Sequence, residues 1–231
     1  RGQHLQPGEA GSAVLLDGRF VSRGGLALTA CSSAPPAPEW QMNAKGSAER
    51  AADAWLAGDA RVEAAEWARV RAELTRTGRP DLLARAELLR CATRVAALVF
   101  EPCAGFEALA QDAAPAEQAY ARYLAGTSQP GDAALLPEAA RAVVAGGSPD
   151  AALAGLQDPL SRLVAAGVLL RSGRATPGVL TQAVDTASAQ GWRRPLGAWL
   201  TLQQQRAQAA GATDEAARLQ RRIDLVLGTS R

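Results

Sequence analysis

The stretch DPLSRLVAAGVLLRSG, residues 158–173, contains signals that start, continue and end an α-helix. Asp158 is a typical N-cap residue, and Pro159 suits the first helical position, where no backbone donor is needed. Apolar residues then recur at the spacing of one helical face, at Leu160, Leu163, Val164 and Val168. Because Gly173 follows as a helix-ending residue, the segment predicts a helix that buries one side.

Three more helices are predicted toward the C-terminus, over residues 176–190, 192–210 and 213–227. With residues 158–173 they make two antiparallel pairs of about 34 residues each, which is the period of the tetratricopeptide repeat. Several residues resemble that repeat's pattern, namely Trp199-Leu200, Ala207, Ala210-Gly211 and Ala216-Ala217. The resemblance implies stacked helical hairpins with a concave interaction surface.

Upstream, glycine and proline residues separate further predicted helices over residues 47–58, 60–77 and 80–100. The helix over 80–100 begins at Pro80 and is expected to end before Pro102. It is apolar on two sides, and this pattern predicts a central, buried position.

The whole pattern predicts an all-α fold of stacked antiparallel helical hairpins, either a tetratricopeptide-like α-solenoid or an irregular right-handed helical array. We expect a single helical domain over residues 42–231. Its predicted parts are N-terminal helices at 42–128, a loop-rich middle with short helices at 129–157, and the hairpins at 158–228.

The composition argues against nucleic-acid binding. The chain has 231 residues, 48% of them hydrophobic and only 4% aromatic, with 25 basic and 23 acidic residues. This charge balance lacks the basic excess that phosphate backbones attract. Lys45 is the only lysine, and we interpret the abundance of arginine and alanine as the composition of a GC-rich genome.

Residues 1–23 lack helical periodicity and are expected to be a disordered leader outside the folded domain, either non-native sequence or the n-region of a signal. Arg19 and Arg23 precede a short apolar run at residues 24–31. A basic patch, an apolar run and a cysteine after small residues are typical of a secretory signal.

Within that run, Leu28-Thr29-Ala30-Cys31 resembles the lipobox of bacterial lipoproteins. The resemblance implies that Cys31 is lipidated and becomes the first residue of the mature chain, with Ser32 favouring the outer membrane. Residues 32–41 then predict a flexible tether. Since no stretch approaches the ~20 apolar residues of a membrane-spanning helix, we expect the lipid to be the only membrane attachment.

Two groups of residues are candidate sites in the helical domain. Cys91 and Cys103 are either a disulfide, reachable if the helix ends early or the chain folds straight back, or two small buried thiols. Trp192, Arg193 and Arg194 lie at a predicted helix start and could bind an anionic glycan or a partner peptide. Alternatively, Trp192 packs between hairpins and the arginines are solvated.

Catalytic, cofactor and metal motifs are not recognisable in the sequence. His4, the only histidine, lies in the leader. The carboxylate pairs Glu63/Glu66 and Asp214/Glu215 are expected to lie on solvated helix faces.

The sequence therefore predicts a non-catalytic envelope lipoprotein that binds a protein partner through its helical array. A soluble cytoplasmic adaptor with an accidental lipobox is the first alternative, and it would keep Cys91 and Cys103 reduced. A cell-wall hydrolase that uses two carboxylates is the second.

Overall fold

The structure, a computed structural model, describes residues 37–228. The predicted leader, the lipobox with Cys31 and the first part of the predicted tether lie outside the described residues. Within the described range the chain forms α-helices and no strand. The helices are α1 Glu39–Ala57, α2 Ala60–Thr75, α3 Pro80–Ala96, α4 Ala104–Glu107, α5 Pro115–Ala125, α6 Glu138–Val144, α7 Pro149–Ala154, α8 Pro159–Arg171, α9 Pro177–Gln190, α10 Arg193–Ala209 and α11 Thr213–Leu227.

Local capping explains why the predicted C-terminal helices form where they do. Asp158 accepts a hydrogen bond from the backbone N–H of Ser161 at 2.7 Å, and Thr176 accepts one from Val179 at 3.1 Å. Each cap is followed by a proline in the first helical turn. These bonds satisfy amides that a helix start would otherwise leave without a partner. The predicted all-α fold class is confirmed, and so are the four predicted C-terminal helices, which correspond to α8, α9, α10 and α11.

The largest differences between predicted and observed helix boundaries are in α1 and α3. Helix α1 begins at Glu39 rather than at residue 47, so the end of the predicted 32–41 tether is already helical. Helix α3 ends at Ala96 rather than Phe100. Leu98 takes a left-handed backbone conformation with φ of 60°, and Val99 N–H donates to the carbonyl of Arg94 at 2.9 Å. This is the Schellman arrangement, which closes a helix before any proline is reached.

Helices α3 and α8 form the centre of the fold. Helix α3 contacts α1, α2, α5 and α8, while α8 also contacts α6, α7 and α9. The crossing of α3 and α8 is close because Gly167 has no side chain. A Cβ atom there would lie 2.8 Å from Val95 Cγ1 and would overlap the Val95 carbonyl oxygen.

The C-terminal hairpins return to this centre instead of extending away from it. Helices α8 to α11 pack in sequence order, as stacked hairpins do, but α10 also contacts α1. Trp199 of α10 is fully buried, and its indole N–H donates to the carbonyl of Ala96 at 3.0 Å. In a linear solenoid each unit contacts only its neighbours, so these long-range contacts fit a helical array and do not support the predicted tetratricopeptide-like solenoid. No helix of the described part of the chain is long and apolar enough to cross a membrane.

Candidate partner-binding groove

A cleft of about 700 Å³ runs along helix α10, and we call it the α10 groove. Helix α10 contributes one face, and the end of α3, the end of α11 and parts of α1 and α8 complete the walls. Its lining residues are Trp55, Gly58, Ala97, Leu98, Val99, Leu170, Arg193, Arg194, Gly197, Ala198, Thr201, Leu202, Gln205 and Leu227. The lining is largely apolar, and the described residues in it include two arginines and no carboxylate.

The two arginines lie where the helix itself is already electropositive. Arg193 and Arg194 open helix α10, and Trp192 at the N-cap supplies no capping hydrogen bond. A helix N-terminus carries a partial positive charge that basic side chains do not offset. Positive charge is therefore concentrated at one end of the groove.

Arg194 reaches the groove by stacking on Trp55 of α1. The guanidinium carbon of Arg194 lies 3.7 Å from the Trp55 ring centroid, and that of Arg94 lies 3.5 Å from the same centroid. One indole thus holds two guanidinium groups through cation–π contacts. This stack connects α10, α1 and α3.

The two guanidinium groups differ in how their charges are balanced. Arg94 Nη2 donates to Glu63 Oε1 at 2.9 Å, and Arg90 Nε donates to the same oxygen at 3.0 Å. By contrast, no carboxylate of residues 37–228 forms an ion pair with Arg193 or Arg194. The buried Nε of Arg194 also has no hydrogen-bond acceptor among these residues.

Burial lowers the pKa of Arg94, and the nearby positive charges of Arg90 and Arg194 act in the same direction. The hydrogen bond to Glu63 opposes both effects. Since an arginine remains charged at any physiological pH, the consequence is local repulsion rather than deprotonation. An additional negative charge beside Arg194 would reduce that repulsion.

A disulfide supports one wall of the groove. Cys91 of α3 is bonded to Cys103, which directly precedes α4, and their Cα atoms are 5.9 Å apart. The bond closes a loop that contains Ala97, Leu98 and Val99, three residues of the groove lining. The pairing that the sequence left open is therefore present, and the early end of α3 supplies the chain reversal it needs.

The structure separates the predicted Trp192-Arg193-Arg194 group. Arg193 is exposed, and its Nε donates to the carbonyl of Val226 at 3.2 Å. Arg194 is half-buried against Trp55, so the interpretation of both arginines as solvated is wrong for Arg194. Trp192 is half-buried and does not line the groove. The aromatic partner is Trp55, which no local sequence pattern connects with Arg194.

The expectation of solvated carboxylates is wrong for Glu63 and Glu66. Both are buried because arginines from neighbouring turns and helices cover them. Glu66 accepts hydrogen bonds from Arg50 at 3.0 Å and Arg69 at 2.6 Å. The bond from Arg50 lowers the pKa of Glu66. In the second predicted pair, Asp214 is exposed, as the sequence predicts.

A second cleft of about 500 Å³ adjoins the disulfide, and Val99 lines both cavities. Its ionisable lining residues are Glu87, Glu101, Glu107, Arg90, Arg94, Arg122 and Arg171. Acidic and basic side chains are mixed there, in contrast to the α10 groove. Among residues 37–228, no group of three His, Cys, Asp or Glu side chains is placed to hold a metal ion.

Comparison with protein-family models, with curated proteins and with solved structures gives no match for this chain. The chemistry of the groove is therefore the basis for assigning a function.

Proposed function

We propose that the protein is a non-catalytic helical interaction module of the bacterial cell envelope, and that the α10 groove binds a segment of a partner protein. The observation that carries this proposal is the open, mainly apolar lining of a cleft of about 700 Å³. Apolar surface in a concave cleft is typical of sites that bind a partner's side chains.

The envelope location rests on two further features. The Leu28-Thr29-Ala30-Cys31 sequence supports lipidation at Cys31, and the bond between Cys91 and Cys103 suits an oxidising compartment. The cytoplasmic adaptor would keep the two cysteines reduced, so the disulfide favours the envelope.

The hydrolase alternative is weaker because Glu63 and Glu66 are occupied by arginines, and Asp214 and Glu215 line neither the α10 groove nor the cleft beside the disulfide. Glu63 Oε1 and both carboxylate oxygens of Glu66 accept hydrogen bonds from arginines, and both side chains are buried. A pair of catalytic carboxylates must face a cleft that admits the substrate.

The intact mass of the chain after expression in a bacterial host tests the location. We expect a diacylglyceryl adduct on Cys31 that is absent from Cys31→Ser. We also expect Cys91 and Cys103 to resist alkylation until a reductant is added. An unmodified chain that begins upstream of Cys31, with both thiols alkylated at once, would favour the cytoplasmic adaptor.

Peptide selection on the purified full chain tests the groove. A displayed random-peptide library is enriched separately on the wild-type chain and on two variants. Ala198→Trp fills the groove with a large side chain. Ala217→Trp is the control, because it adds the same side chain at an exposed position of α11. We expect peptides that bind wild type and Ala217→Trp but not Ala198→Trp. Should Ala198→Trp melt early, Gln205→Trp at the exposed rim replaces it. The absence of any groove-dependent enrichment would contradict the proposal.

A further inference from the structure

We infer that the α10 groove selects partner segments that carry a carboxylate beside apolar side chains, and that Arg193 and Arg194 recognise the carboxylate. This inference rests on the proposed function and names the chemistry of the partner. Its basis is charge complementarity, because no carboxylate of residues 37–228 forms an ion pair with the two arginines at the cationic end of the groove.

The cationic end has three sources that act together. Arg193 and Arg194 open helix α10, and the uncapped start of that helix adds a partial positive charge. Within residues 37–228, ten ion pairs neutralise other arginines, but none of them includes either of these two. A bound carboxylate would supply the missing counter-charge.

The guanidinium of Arg194 is held in place before any partner arrives. Its guanidinium carbon lies 3.7 Å from the Trp55 ring centroid, and Arg94 contacts the same ring at 3.5 Å. A stacked guanidinium keeps its nitrogen edge available for hydrogen bonds to a carboxylate. Less side-chain freedom is lost on binding than with a fully solvated arginine.

The rest of the groove favours a peptide over a glycan. From Arg193 to Gln205 the lined face of α10 extends about 18 Å at 1.5 Å per residue. Along it the walls are formed by leucine and valine side chains, including Leu98 and Leu202. Such walls match apolar side chains on a peptide, whereas a sugar ring would leave its hydroxyl groups without partners.

A focused library separates this inference from the proposed function. Its peptides share leucines at the i, i+3, i+4 and i+7 positions, and their remaining positions vary among Glu, Gln and Lys. Selection uses the full wild-type chain, the double variant Arg193→Gln/Arg194→Gln, and the matched double variant Arg221→Gln/Arg222→Gln. Arg221 and Arg222 are exposed neighbours on α11 that do not line the groove.

We expect glutamate to be enriched on the wild-type chain and on the α11 double variant, and to lose its advantage on Arg193→Gln/Arg194→Gln. For a single selected peptide, replacing its glutamates with glutamine should raise Kd on the wild-type chain by about tenfold, the size expected for a charge-assisted hydrogen bond. The ratio should fall toward unity on Arg193→Gln/Arg194→Gln, and it should shrink at high salt.

Four results would overturn the inference. Groove-dependent peptides without a preference for glutamate would leave the proposed function intact and remove the carboxylate. A glutamate preference that survives Arg193→Gln/Arg194→Gln would assign recognition to other residues. Binding of an oligogalacturonate probe, without peptide enrichment, would assign the site to an anionic glycan. Failure of every peptide and of the glycan would overturn the proposed function as well.

Discussion

Helices α1 to α3 and helix α10 both place arginines against other helices, but they treat the charge differently. In the first region Glu63 is buried and accepts hydrogen bonds from Arg90 and Arg94. In the second, Arg193 and Arg194 form no ion pair with any residue from 37 to 228. The same residue type is therefore paired with a buried carboxylate in one place and has no carboxylate partner among the described residues in the other.

Helices α1 to α3 also differ in packing from helix α8. The layer of α1, α2 and α3 buries the carboxylates of Glu63, Glu66 and Glu87 under arginines. The buried residues of α8, by contrast, are all apolar, and they run without interruption from Leu163 to Leu169. The α1–α3 layer thus buries charge pairs, whereas α8 buries an unbroken apolar run, and we expect each to lose stability when its own contacts are disrupted.

The largest loss of stability is expected where helix α8 crosses helix α3 at Gly167. Gly167→Ala would force α8 away from α3, because the new methyl group would overlap the Val95 carbonyl. We expect a loss of about 3 kcal/mol or more in the free energy of unfolding, measured by urea denaturation.

Gly155→Ala is the matched control for the same addition of one methyl group. Its Cβ would meet nothing closer than a carbonyl oxygen at 3.6 Å, and its backbone is already helical. We expect that variant to be neutral or slightly more stable. Equal losses in the two variants would mean that α3 and α8 are not in close contact.

The sequence predicted the helices well because their signals are local. Asp158, Thr176 and the prolines that follow them act within one helical turn, so their effect can be derived without knowing the fold. The predicted end of helix α3, at residue 100, is wrong because the residue that ends the helix is not a typical helix-ending residue. Leucine at position 98 is a poor candidate for a left-handed residue, and only the structure shows that the chain turns there.

The groove could be predicted only in part because it joins residues that are distant in the chain. Arg193 and Arg194 were identified from their position at a helix start, but Trp55 lies far away in sequence and nothing local relates it to them. The sequence does not predict that Glu63 is buried, because helical spacing does not distinguish a face covered by water from one covered by arginines. Tertiary packing decides both questions.

The next largest effect on stability is expected from replacing the two arginines that stack on Trp55. Arg94→Gln removes both a stacking contact and the bond to Glu63, and we expect it to cost about 2 kcal/mol of stability. Arg194→Gln removes the stacking contact alone and relieves a like charge, so we expect a loss below about 1 kcal/mol. Chemical denaturation of the two variants beside wild type measures the difference.

The same two substitutions should affect peptide affinity in the reverse order. Arg194→Gln should weaken a glutamate-containing groove peptide, while folded Arg94→Gln should retain most of its affinity. If Arg194→Gln destabilised the fold as much as Arg94→Gln, its charge would have a structural role, and the contrast between the two regions would disappear.

The smallest effect concerns Leu98, whose left-handed backbone lies in the wall of the groove. Leu98→Gly and Leu98→Ala both remove the side chain, but only glycine adopts this conformation without a steric penalty. We therefore expect the glycine variant to be about 1 kcal/mol more stable than the alanine variant, although glycine usually lowers stability.

Peptide affinity, measured by fluorescence anisotropy, should fall equally in both because the lost leucine contact is the same. A more stable alanine variant would contradict the left-handed turn, and unequal affinities would show that the backbone at this position, rather than the side chain alone, shapes the groove.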